Sequence, residues 1–167
     1  IVFSGVGKTI DELKFAISKK ILLINAESES EIIEIEKIAK KNNKKINIGI
    51  RFNPDIDAET LKKISTGKKE NKFGLTRKNF LKILKRYKGS KFVNIICLSV
   101  HIGSQITSHV PYENMLKVVN KIIQKSKYKF KYIDLGGGMG IQYENNSNKL
   151  NFGSKFLFNI SGTFVLI

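Results

Sequence analysis

Apolar side chains recur along this chain in two rhythms. Residues 21–24, 46–52, 93–100 and 132–135 form short stretches that are nearly unbroken in apolar character or alternate at every second position. Stretches of this length bounded by polar turns predict strands, and the unbroken ones predict strands covered on both faces. A fifth strand, at residues 1–5, closes on Ser4-Gly5. Between the strands, apolar positions fall three and four apart: Leu13, Ala16 and Ile17; Ile32, Ile35, Ile38 and Ala39; Phe80 through Tyr87; Met115, Val118, Val119, Ile122 and Ile123. That spacing predicts four helices, each turning one face to a core. Their starts are marked as well. Thr9 and Glu12 have capping-box spacing, Ser28 leads into the second helix, Thr76 precedes the third, and Pro111 suits the first turn of the fourth.

The resulting order, strand and helix in strict alternation from first strand to fifth, predicts an α/β fold with a parallel sheet and right-handed crossovers. Every polar or glycine cluster falls at the C-terminal end of a strand: Ser4-Gly5, Asn25-Ala26-Glu27, residues 51–55, residues 101–105 and residues 136–140. One-sided clustering is how a (β/α)8 barrel of the TIM type builds its active face. An open doubly wound sheet is the alternative. Five strands are three short of closing such a barrel, so the expectation is a partial, incomplete barrel over residues 1–143. Residues 144–149 are polar and asparagine-rich, and 152–167 are apolar without a helical period; this stretch is expected to be a tail outside the native core. The loop at 57–74 is longer than a connection needs, which points to function.

Composition narrows the classes. A chain of 167 residues suits one domain. No apolar run approaches the roughly 20 residues that span a bilayer, and no basic leader opens the sequence, so no membrane partner is expected. A single cysteine, Cys97, excludes a disulfide framework and favours a reducing, cytoplasmic setting. Because Ile1 enters a strand at once, the chain is expected to be a fragment or a processed piece. The net charge of +16 raises a polyanion-binding reading. Against it, only three of the 30 basic residues are arginine (Arg51, Arg77, Arg86), the residue that clamps phosphates bidentately. Many lysines instead gather at predicted helix C-termini (Lys19-Lys20, Lys40-Lys41, Lys44-Lys45), where the helix dipole favours them. A solvated basic surface, with no nucleic-acid partner, is the expectation.

Five features carry candidate chemistry. Gly5-Val6-Gly7-Lys8-Thr9 resembles the end of a P-loop, but the required earlier glycine is Val2, so a strand-to-helix turn with a cap is expected. Gly136-Gly137-Gly138-Met139-Gly140 lacks the third glycine of a dinucleotide fingerprint, since that position is Ile141. Its bare backbone N–H groups could still cradle an anion, or the glycines could serve only a tight turn. His101 ends an apolar strand and could be a base, a ligand, a flat face for an aromatic cofactor, or structural; His109 sits in a polar turn. Arg51 closes a strand and would point at an anion or a ring oxygen there, or form a salt bridge on the barrel rim. Cys97 shares a strand face with His101 by its period of two and reads as packed core.

Seven motifs in order, Phe3-Ser4-Gly5-Val6-Gly7-Lys8-Thr9, Asn25-Ala26-Glu27-Ser28, Arg51-Phe52-Asn53-Pro54-Asp55, Ile64-Ser65-Thr66-Gly67, Lys72-Phe73-Gly74, His101-Ile102-Gly103-Ser104-Gln105 and Asp134-Leu135-Gly136-Gly137-Gly138, together resemble the diaminopimelate decarboxylases. These are fold-type III, pyridoxal 5'-phosphate-dependent enzymes of lysine biosynthesis. The resemblance covers residues 1–143 and implies the family's third to seventh barrel strands. It further implies that His101 stacks on the pyridine ring and that Ser104 with the backbone of Gly136, Gly137 and Gly138 holds the phosphate. Arg51 would lie toward the phenolic oxygen, and the loop with Ser65, Thr66 and Gly67 would border the amino-acid substrate. The family's cofactor-linked lysine and the acid facing the pyridine nitrogen fall outside the matched motifs, as do its C-terminal β-domain and the cysteine donated across its homodimer interface. The chain alone is therefore expected to bind cofactor weakly and not to decarboxylate. Two other readings stay open: a phosphate- or pyridoxal-phosphate-binding barrel without decarboxylase activity, and a basic polyanion-binding protein.

Overall fold

The computed structural model describes residues 1–56 and 73–140 together with the backbone of residues 164–166. The order of elements is β1 (Val2–Phe3), α1 (Ile10–Ser18), β2 (Leu23–Ala26), α2 (Glu29–Lys41), β3 (Ile46–Arg51), α3 (Arg77–Arg86), β4 (Val93–Ser99), α4 (Val110–Ser126), β5 (Tyr132–Asp134) and β6 (Phe164–Leu166). All strand pairs are parallel, and their spatial order is β1-β2-β3-β4-β5-β6. A doubly wound sheet would reverse its order at a switch point. Here it never reverses, and the strands form a curled, open half-barrel. The backbone of Phe164–Leu166 pairs in parallel with β5 and lengthens the sheet by one strand; the rest of the stretch expected to be a tail lies outside the described residues.

Local chemistry starts the helices where expected. Thr9 Oγ1 accepts from Glu12 N while Glu12 Oε2 accepts from Thr9 N at 2.7 Å, closing the capping box of α1. Ser28 and Thr76 cap α2 and α3, and Pro111 occupies the first turn of α4. One boundary differs. The second strand was expected at 21–24 but runs Leu23–Ala26, because Lys20 turns at φ +51° and Leu22 N donates to Ile1 O, making Ile21 and Leu22 a lead-in. Asn25 is thereby inside a strand and not in the loop after it.

The two faces of the sheet differ in kind. Ile24, Ala26, Ile48, Ile50, Phe52, Leu98, Val100, Ile133 and Leu135 join the apolar helix faces in one core. Alternate positions form the opposite face, and in register it reads Asn25, Gly49, Cys97, Tyr132 in one row and Arg51, Ser99, Asp134 in the next. Asn25 Nδ2 donates to Asp134 Oδ2 at 2.6 Å. Their strands are separated by β3 and β4, about 14 Å in a flat sheet. The bond can form only because the sheet curls and both side chains point to its concave side. Gly49 lies beneath this crossing, where an added Cβ would collide with Asn25 Oδ1.

Candidate functional site

The C-terminal ends of the strands meet around a cleft of about 490 Å³ lined by Ser4, Gly5 and Val6 after β1, Glu27 after β2, Arg51 on β3, Phe73, then Ser99, Val100 and His101 at the end of β4, and Asp134, Gly136 and Gly137 at the end of β5. Residues far apart in the chain reach one mouth because every parallel strand delivers its tip to the same side.

Asp134 is the hub of the floor. Its Oδ2 accepts from Asn25 Nδ2 and, at 3.3 Å, from Ser99 Oγ, while its Oδ1 accepts from Gly136 N at 2.8 Å. Asn25 Nδ2 also donates to Ser4 Oγ at 2.8 Å, so one amide ties three strand tips. Asn25 is 1% exposed, and its Oδ1 has no hydrogen-bond partner among the described residues. Ser99 and Asp134 received no role in the sequence reading. The available signal was polarity inside mainly apolar strands: Asn25, Ser99 and Asp134 are polar positions among largely apolar neighbours.

On one wall, Arg51 Nη1 pairs with Glu27 Oε2 at 2.8 Å, both side chains about 10% exposed, and the guanidinium lies 5.6 Å from the Phe73 ring centroid. Arg51 thus makes a rim salt bridge and borders the cleft at once. Below it, Lys8 donates to the carbonyls of Gly5 and Asn25 and pairs with Glu31 Oε1 at 2.9 Å, while Glu31 Oε2 accepts from Glu27 N. The Gly-Lys-Thr stretch therefore pins strand ends with its lysine and caps α1 with its threonine.

The opposite wall is the meeting of the turns after β4 and β5. Ile106 N donates to Gly138 O and Gly140 N to Ile106 O, both at 2.9 Å, zipping the two turns together. Glycine is required at two places. At Gly136, φ +69°, a Cβ would stand 2.6 Å from Val100 O and 2.7 Å from His101 Nδ1; at Gly138, φ +97°, it would strike Gly103 O. Gly137 has open space where its Cβ would be. Gly136 N is engaged by Asp134, whereas the N–H groups of Gly137 and Gly138 meet no acceptor among the described residues. His101 and the glycine turn are consequently in contact. Ser104 is exposed on the loop and lies outside the residues lining the cleft, one position after Gly103. Ser65, Thr66 and Gly67 fall outside the described residues.

Burial lowers the pKa of His101, the nearby Arg51 charge lowers it further, and Asp134 acts in opposition. Its imidazole is therefore neutral at neutral pH. Cys97 is fully buried, and desolvation, reinforced by Asp134, pushes its thiol to about 12. It is inert core. His109 begins α4, 3.6 Å from Glu113.

These features fit a phosphorylated aromatic cofactor: two backbone donors at an open glycine, a turn whose closed packing fixes them, and a half-buried neutral imidazole beside it. Comparison with known proteins agrees. The family described as "Pyridoxal-dependent decarboxylase, pyridoxal binding domain" matches residues 1–158. Diaminopimelate decarboxylase of Campylobacter jejuni is 42% identical over 149 residues, 87% of this chain and 37% of that protein. The crystal structure of the Helicobacter pylori diaminopimelate decarboxylase complexed with L-lysine superposes with a TM-score of 0.82 at 41% identity, covering 88% of this chain and 38% of that one. The M. jannaschii enzyme, also in complex with L-lysine, gives a TM-score of 0.75 at 34% identity over 89% of this chain and 35% of that one. The chain thus spans a little over a third of the length of the relatives it matches. With the family model matching residues 1–158 of its 167, the chain belongs to the pyridoxal-dependent decarboxylases, within their pyridoxal-binding domain.

Proposed function

We propose that this chain supplies the phosphate-holding half of the cofactor site of a diaminopimelate decarboxylase, which removes a carboxyl group from meso-2,6-diaminopimelate to yield L-lysine. The observation that carries the reading is the close approach of His101 to the Gly136–Gly138 turn, so tight that an added Cβ at Gly136 would strike its imidazole, beside N–H groups of Gly137 and Gly138 that meet no acceptor among the described residues. When bound, pyridoxal 5'-phosphate supplies an electron sink for loss of the carboxylate. Gly137 and Gly138 would donate their N–H groups to the phosphate, and the Ser104 hydroxyl, exposed on the adjoining turn, would be a further donor. Gly136 serves differently, since its N–H belongs to Asp134. His101, neutral through burial and the Arg51 charge, offers a flat face to the ring without adding a second cation to the cleft. Arg51, braced by Glu27, sets a positive charge at the far side, and the loop carrying Ser65, Thr66 and Gly67 borders the amino-acid substrate.

The enzyme works as a cytoplasmic homodimer, and the 167-residue chain by itself does not turn over. Two assays test this. Calorimetric titration with pyridoxine 5'-phosphate and with pyridoxine avoids imine formation with surface lysines, because both are alcohols. Two charge-assisted hydrogen bonds predict a preference of at least about tenfold for the phosphorylated form; equal affinities refute the phosphate site. Release of labelled carbon dioxide from carboxyl-labelled meso-diaminopimelate, with pyridoxal phosphate added, should be absent for this chain, and turnover would overturn the statement of inactivity.

A further inference from the structure

Tyr112 stands in the first turn of α4, 4% exposed, and its hydroxyl donates to Gly137 O at 3.2 Å. Two other pins flank Gly137 in the glycine turn: Gly136 N on Asp134 Oδ1, and Gly138 O accepting from Ile106 N. Between them lies the peptide unit joining Gly137 to Gly138. Glycines on both sides leave that unit able to rotate as a plane. In a trans peptide the carbonyl and the N–H point in opposite directions, so fixing one aims the other. We propose that Tyr112 is a positioning residue for the anion site: by holding the Gly137 carbonyl toward the helix layer, it turns the Gly138 N–H to the concave side, where the phosphate group of a ligand is received. The inference rests on the phosphate reading above and adds a residue from the helix layer to it.

The phenol is suited to this task. A buried tyrosine ring has few rotamers to lose and needs a partner for its hydroxyl. Burial raises its pKa, so the hydroxyl stays protonated and remains a donor. Asp134 then holds the Leu135–Gly136 peptide unit and Tyr112 the Gly137–Gly138 unit, from opposite sides of the sheet and with one unit between them, so the Gly138 donor is aimed before a ligand arrives.

The test compares Tyr112→Phe with Tyr128→Phe. Tyr128 donates in the same way to a backbone carbonyl, Ile95 O at 3.1 Å, away from the cleft. Affinities for pyridoxine 5'-phosphate and pyridoxine are measured on the whole chain, with the Gly138 amide resonance of the folded protein as a second readout. Tyr112→Phe is expected to cut the preference for the phosphorylated ligand by about fivefold or more, the value of one neutral hydrogen bond, with pyridoxine affinity unchanged. The Gly138 resonance shifts or broadens in this variant alone, and Tyr128→Phe keeps the wild-type preference. Because the resonance reports only folded molecules, a loss of stability does not obscure the result. A wild-type preference retained by Tyr112→Phe, or lost equally in Tyr128→Phe, overturns the inference by itself. Absence of any preference in the wild type overturns the phosphate reading and the inference together.

Discussion

Replacing Gly136 and Gly137 in turn by alanine separates a glycine needed by the fold from one needed by a ligand. At Gly136 the backbone is left-handed, which costs an alanine about 1–2 kcal/mol. Its Cβ would also stand 2.6 Å from Val100 O, a backbone atom that cannot step aside, and 2.7 Å from His101 Nδ1. Overpacking of this kind adds about 1–3 kcal/mol, and the stiffer unfolded chain returns about 0.4–1 kcal/mol. The net loss is about 2–4 kcal/mol. At Gly137 no positive φ and no neighbour within 4 Å oppose the methyl group, so only the small unfolded-chain gain remains. Urea unfolding followed by circular dichroism reads both. With a slope of about 2 kcal/mol per molar for a chain of this size, Gly136→Ala lowers the midpoint by about 1–2 M, and Gly137→Ala leaves it unchanged or slightly raised. The ligand arm reverses the order of interest: the Gly137→Ala methyl projects into the cleft and weakens pyridoxine 5'-phosphate binding in a fully folded protein. Equal destabilisation by the two variants, or a neutral Gly136→Ala, would refute the geometry argued for this turn.

Further outcomes follow from the polar face. His101 is expected to titrate by NMR below the ordinary imidazole value; Arg51→Gln raises its midpoint and Asp134→Asn lowers it further, because the two charges act in opposite directions. Since the folded pKa is depressed, His101 contributes stability that is full above the unfolded value and is lost as pH falls through the folded one, and His101→Gln flattens that acid slope in urea titrations. Arg51→Leu and Glu27→Leu each cost about 3 kcal/mol by stranding a buried charge, while the double variant recovers most of it, measured as a double-mutant cycle. Gly49→Ala lowers the unfolding midpoint because its methyl group meets Asn25 Oδ1, and adding Asn25→Ala restores part of the loss; no recovery would show that the clash lies elsewhere.

Much of the fold was legible because it is written in local chemistry. Thr9 with Glu12, Ser28, Thr76 and Pro111 mark helix starts through hydrogen bonds to nearby backbone, and the apolar spacing of each helix names its buried face. The glycine turn was legible for the same reason, since a left-handed backbone at Gly136 and Gly138 selects glycine. The site beyond it was not. The Asn25–Asp134 bond joins residues 109 positions apart and exists only because the sheet curls, a property of the assembled strands and not of any one of them. Periodicity treats Ile21, Leu22, Leu23 and Ile24 alike, whereas the register starts β2 at Leu23 and draws Asn25 inward. Arg51 was open between an anion and a salt bridge, and its pairing with Glu27 needed two strand tips side by side. Tyr112 gave no signal, because a tyrosine in a helix's first turn reads as core until its hydroxyl is seen against Gly137.

The most direct measurement is an NMR titration of the 15N-labelled chain with pyridoxine 5'-phosphate. The largest amide shifts are expected at Gly137 and Gly138, with ring-to-ring contacts to His101. Shifts confined instead to Lys20, Lys44 and Lys45, which line a cleft of about 350 Å³ at the N-terminal ends of β2 and β3, would contradict the phosphate reading.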